Sequence, residues 1–139
     1  MSAFVLDASI TAAWCFEDQS TPYTEAVLQA VVNGAEVIVP AIWRVEVANV
    51  LVVAERRKKI STETSMRFIL ALQKFAITVD LDGLGEIFGK VIDHARRYQR
   101  SAYDASYLEL AHRRGLPLAT KDGPLRAAAD ALRIPLFQT

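Results

Sequence analysis

Four acidic residues stand where packing alone gives no reason for them. Asp7 closes the apolar run AFVLD, Glu46 lies inside IWRVEVANVL, Asp104 sits in SAYDASYLELA, and Asp122 follows PLAT after one lysine. Glu46 raises the sharpest question, because residues three and four positions away share a helix face, and here they are Ile42, Trp43, Asn49 and Val50. None is basic. A buried carboxylate without a partner costs several kcal/mol or takes up a proton, so its counter-charge must be a distant Arg or a bound cation. Each of the other acids also has a structural reading: Asp122 before Gly-Pro as a helix N-cap, Asp7 as an acceptor in the turn to Ser9, Asp104 at the positive end of its helix. A single cause, a divalent cation, accounts for all of them together, since clustered carboxylates repel unless a hard cation neutralises them. Oxygen donors without His or Cys point to Mg2+ or Mn2+ rather than zinc.

The elements that must position these acids follow from the hydrophobic periodicity. Residues 3–7 read as a strand, and Ser9 as the cap of the helix through ITAAWCF. A helix after Pro22 ends at Asn33-Gly34, EVIVP is the next strand, and the Glu46 helix runs from about Ala41 to Lys59. Ser61 to Thr64 caps another helix, ITVDL is a third strand, and 84–100 reads as one amphipathic helix with Leu84, Ile87, Phe88, Val91, Ile92 and Ala95 on a stripe. The Asp104 helix closes on Gly115; PLAT, DGPLRAAADALR and IPLF then give strand, helix and strand. Such alternation predicts an α/β fold with a mostly parallel sheet of about five strands, covered on both faces. In sheets of this kind ligands bind beyond the carboxyl ends of the strands, where Asp7 and Asp122 fall.

With 139 residues and 52% apolar composition the chain is expected to be one domain, 1–139, with one core. No apolar run approaches the roughly 20 residues of a membrane span, and the start shows no basic leader, so a cytoplasmic protein is expected. Sixteen bases balance sixteen acids, but setting the four site acids aside leaves a mildly basic remainder. Basic pairs at Arg56-Arg57, Lys58-Lys59, Arg96-Arg97 and Arg113-Arg114 end helices, where positive charge is favourable with or without a nucleic acid. His94 and His112, beside arginines, read as surface residues, and Cys15, between Trp14 and Phe16, as a buried small apolar residue.

The order VLDAS, VPAIWRVEVANVL, SAYDASYLELA, LATKD resembles a PIN domain, and specifically the VapC toxins of bacterial and archaeal toxin–antitoxin pairs, along the whole chain. The resemblance implies a three-layer α/β/α domain and a metal-dependent ribonuclease. Asp7, Glu46, Asp104 and Asp122 match the family's acidic quartet, and Ser9 and Thr120 the small polar residues beside it. Asp7 and Asp104 are expected as direct metal ligands; Glu46 and Asp122 either ligate or orient metal-bound water. Lys121 borders the site and reads as a phosphate contact or a solvated lysine. The partners implied are RNA, a cognate VapB-type antitoxin, DNA only through that antitoxin, and a second copy of the chain, for which apolar helices with Trp14, Trp43 and Phe68 offer a surface. Two other readings compete: a receiver-like phosphoacceptor, which needs an acidic pair after its first strand and has no use for Glu46, and a non-catalytic PIN-like binding module, in which the acidic pocket is normally eroded.

Overall fold

In the computed structural model, which describes residues 3–139, strands and helices alternate. Met1 and Ser2, on which the reading of the chain start partly rests, lie outside it. Strand β1 (Ala3–Leu6) leads to α1 (Ala8–Cys15) and α2 (Pro22–Val32), then β2 (Glu36–Pro40), α3 (Ile42–Arg56), α4 (Thr62–Leu72) and β3 (Ile77–Asp80). After a 3-10 turn and a π turn come α5 (Ile92–Tyr98), α6 (Ala102–Arg114), β4 (Leu118–Ala119) and α7 (Gly123–Ala131). No helix among the described residues is long and apolar enough to cross a membrane.

The sheet is parallel, in the order β3-β2-β1-β4, with Val5 opposite both Ile38 and Leu118. Successive strand residues point to opposite faces, yet Phe4, Val5 and Leu6 are all fully buried, as are Val37 and Val39. Helices therefore cover both faces, and the strands read as continuous apolar runs because neither side meets water. The chain steps outward from β1 to β2 to β3, then returns to β4 on the other side of β1. That reversal opens a crevice beyond the carboxyl ends of β1 and β4, the usual ligand position in such sheets.

Among the described residues the sheet has four strands rather than about five. The segment IPLF contributes only a bridge, Leu118 to Leu136, with Leu118 N–H donating to Pro135 and Phe137 N–H to Leu118. Pro135 has no N–H to extend the ladder, and β4 is two residues long, so there is nothing further to pair with.

The expected helix over 84–100 is also corrected. Asp82–Glu86 winds tightly, Ile87–Val91 winds widely, and only Ile92–Tyr98 is α-helical. The change of pitch rotates the stripe apart: Val91 is buried, whereas Phe88 is 91% exposed and Leu84 57%. The tight turn brings Gly83 against an ion-pair network. A Cβ there would stand 3.1 Å from Asp80 Oδ2 and 3.2 Å from Glu109 Oε1, and the Gly83 N–H donates to Asp80 at 2.9 Å. Arg113 closes the network, 2.6 Å from Asp80 and 2.8 Å from Glu109, both carboxylates being buried.

Of the aromatic residues expected to support self-association, Trp43 lies inside, while Trp14 and Phe68 are half-buried against the core. Trp43 is buried and donates to Thr11, Trp14 donates to the Thr24 carbonyl, and Phe68 packs on the core. His112 is exposed as expected, but His94 is half-buried, its ring 6.1 Å from that of His112. Cys15 is half-buried rather than buried, and burial raises its thiol pKa, which disfavours the nucleophilic thiolate.

Candidate active site

Asp7 occupies the N-cap position of α1 without using its side chain as a cap. Its carboxylate instead accepts two hydroxyls on one oxygen, Oδ2: Ser9 at 2.6 Å and Thr120 at 2.7 Å. Thr120 directly follows β4, placed beside Asp7 because β1 and β4 pair in register, and it is fully buried. Its single hydroxyl proton goes to Asp7, while its oxygen accepts the Asp122 N–H at 3.1 Å. Asp7 is itself buried, and burial raises its pKa; the two hydroxyls oppose this, and the charges of Asp104 and Asp122 add to it.

Glu46 lies one turn into α3 with no Arg partner among the described residues. Its partner is Tyr107 of α6, whose hydroxyl donates at 2.6 Å. Burial raises the Glu46 pKa; the Tyr107 hydrogen bond works against this, and the charges of Asp7 and Asp104 reinforce it. Tyr107 is fully buried, and burial with the Glu46 and Asp7 charges pushes its own pKa well up, so the phenol remains a donor. Asp104, in the first turn of α6, is fixed by its backbone N–H donating to Ser101, while its carboxylate meets Arg100 at 3.2 Å. Asp122 does cap α7, accepting the Leu125 N–H at 2.9 Å, so its capping expectation holds.

All four acids line one groove of about 650 Å³, with Ser9, Gln19, Asn49 and Tyr103 on its walls and no basic side chain among the lining residues. They come from four segments of the chain, so local propensity alone does not explain their convergence. Lys121, by contrast, is fastened to the Gln19 carbonyl at 3.0 Å rather than turned into the groove. Among the described residues no group of three or more Asp, Glu, His or Cys side chains stands close enough together to hold a metal ion as placed. The donor set nevertheless suits a hard cation: it is all oxygen, its most buried member is short of positive charge, and Mg2+ binds through one or two carboxylates while keeping several waters.

Sequence reasoning missed two residues that touch these acids. Tyr107 shares the face of Asp104 three residues on, a spacing that was visible, but its pairing with Glu46 spans two helices. Arg100 was legible as the i,i+4 partner of Asp104. Arg113, expected as one of a basic pair able to guide RNA, is instead engaged by Asp80 and Glu109. Tyr107→Phe is expected to weaken divalent-metal affinity about ten- to a hundredfold, the usual effect of losing a group that orients a ligand. Mn2+ titration calorimetry measures it, and unchanged affinity would assign the phenol to the fold alone.

No curated protein matches the chain. Among solved structures, PAE2754 from Pyrobaculum aerophilum is 22% identical with a TM-score of 0.67, over 91% of this chain and 79% of its own. FitAcB from Neisseria gonorrhoeae is 18% identical with a TM-score of 0.59, over 97% of this chain and 96% of its own. At such identities the likeness is one of fold. Residues 4–131 match the family model of the PIN domain, and with these acids at the edge of this sheet the chain belongs to the PIN domain family.

Proposed function

We propose that the chain is a metal-dependent endoribonuclease, the toxin of a VapBC-type toxin–antitoxin pair. PIN domains are generally nucleases that use divalent metal ions, and one observation here carries the reading furthest: four acids converge on a groove whose lining contains no base. A receiver-like site has no place for Glu46, and a binding module has no need of carboxylates held under mutual repulsion.

The residues divide the work by their surroundings. Asp7, fixed by Ser9 and Thr120, and Asp104, set at the start of α6, are the direct ligands for Mg2+ or Mn2+. Glu46, steered by Tyr107, and Asp122, anchored to α7, complete the shell or hold its water. The bound metal supplies an activated water and charge stabilisation for in-line hydrolysis of a phosphodiester. Arg100 offsets part of the Asp104 charge while the metal is absent. The same reading carries a VapB-type antitoxin, a homodimer, DNA contact only through the antitoxin, and a cytoplasmic setting.

The test is cleavage of RNA by the purified chain. Activity with Mg2+ or Mn2+, lost in EDTA and restored by excess Mn2+, is the expected outcome. Undiminished cleavage after chelation would reject the metal mechanism, and intact RNA under every metal condition would favour the binding module.

A further inference from the structure

The acidic groove by itself repels a phosphate chain, so a substrate strand needs a cationic hold on its flank. The basic groups at helix ends differ in how far they are already occupied. Arg113 is held by Asp80 and Glu109, Arg114 lies 3.9 Å from Asp80, and Arg97 lies 5.8 Å from the Tyr98 ring centroid. Arg57 and Lys59, both exposed, make no ion pair among the described residues. They line a second depression of about 240 Å³ that shares Gln19, Asn49 and Val50 with the acidic groove.

A single face of α3 joins the two. Asn49 and Val50 lie three and four positions after Glu46, Val53 lies four and three after those two, and Arg57, the C-cap of α3, lies four after Val53, which keeps them on one side of the helix. Arg57 stands eleven positions after Glu46, a rise of about 16 Å, room for a few nucleotides. Asn49 is exposed and Gln19 half-exposed, so the track offers amide donors and acceptors between its acidic and basic ends. Asp18 is the one acid lining the basic depression, and it is exposed to solvent.

We propose that this α3 face, from Glu46 to the Arg57 and Lys59 end, is the track along which a single-stranded RNA lies, its backbone gripped by those two cations and its bases or hydroxyls meeting Asn49 and Gln19. The proposal rests on the ribonuclease reading and adds a direction to it. The competing account is that Arg57 and Lys59 serve only the negative end of α3, in which case their loss lowers stability and nothing else.

Anisotropy of a labelled single-stranded RNA of about 12 nucleotides, within the range of single-strand site sizes, separates the two when measured on the full chain in Ca2+ at several salt concentrations. Arg57→Gln/Lys59→Gln is expected to raise Kd at least tenfold and to reduce the slope of log K against log salt by about 1.4, at roughly 0.7 per lost contact. Arg96→Gln/Arg97→Gln is expected to change Kd less than threefold. In Mg2+ the Arg57→Gln/Lys59→Gln variant should show raised KM with kcat preserved. Thermal melts check folding, and Lys59→Gln alone, beyond the end of α3, retains the comparison if the double variant melts early. Unchanged Kd in a folded variant, equal loss in the Arg96→Gln/Arg97→Gln control, or no RNA binding by the wild type overturns the track. Binding lost as expected, with no cleavage by the wild type under any metal condition, would sink the nuclease reading while the track stands.

Discussion

Glu46→Gln is expected to lower the rate of RNA cleavage by about a hundred- to ten-thousandfold, the range for removing a group that handles the reacting water or proton, while leaving the fold intact. The amide keeps the shape and can still accept the Tyr107 hydroxyl, so only the charge is lost. In the metal-free protein that charge is unfavourable, because burial and the Asp7 and Asp104 carboxylates raise the Glu46 pKa above its ordinary 4.5. An acid whose folded pKa is raised binds more protons folded than unfolded between the two values, so its penalty is absent well below pH 4.5, grows as pH rises from there to the folded value, and is full above it. Metal-free Glu46→Gln should therefore melt at or above the wild type at neutral pH, with the gap closing in acid. Added Mn2+ should reverse the order, since a ligand that binds the folded state stabilises the protein that binds it better. A strongly destabilised variant that still cleaves RNA would show instead that Glu46 serves the fold.

Arg113→Ala is expected to destabilise by about 3 to 5 kcal/mol, the usual cost of leaving buried charges unpaired, which for a domain of this size is roughly 10 to 20 °C in melting temperature. The substitution leaves buried Glu109 without its cation and buried Asp80 with only Arg114, at 3.9 Å, in place of the Arg113 contacts at 2.8 and 2.6 Å. Burial works against the Asp80 charge, but the Arg113 hydrogen bonds, the Gly83 N–H and the charges of Arg113 and Arg114 outweigh it and lower its pKa below 3.8. A lowered acid contributes stability that is full above its unfolded value and is lost as pH falls through the folded one. The gap between wild type and variant should thus be widest near neutrality and shrink below pH 3.8. Melts across pH 3 to 8 measure it in about the range where acid unfolding acts. A variant that melts with the wild type but binds RNA weakly would return Arg113 to the role of an RNA guide.

Much of the fold and site was legible locally. Buried parallel strands read as apolar runs, Pro22 and Ser61 mark helix starts through the caps at Thr21 and Ser61, and an acid at a strand end needs only that strand to be placed. Elements defined by a single period therefore came through nearly whole. The stretch 84–100 did not, because its apolar spacing fits an ideal helix while Gly85 and Gly89 allow a tight and then a wide turn, and only packing against α6 selects between them. The fifth strand failed for a related reason: IPLF has strand propensity, but a ladder needs a partner of matching length, and β4 provides two residues.

The residue types of the quartet, and the position of each acid on its own element, were determined by the sequence. The structure decided what each acid meets. Glu46 was left between a distant Arg and a bound cation, and the docking of α6 beside α3 brings a phenol to it instead, a donor that orients the carboxylate without neutralising it. The charge thus remains for a cation to answer. Arg113 shows the converse, since its spacing to Glu109 was visible along the helix but its ion pair with Asp80 exists only because β3 ends under α6. Short-range periodicity is written in neighbouring residues, whereas charge compensation depends on distances between segments far apart in the chain, and those distances exist only once the core has closed.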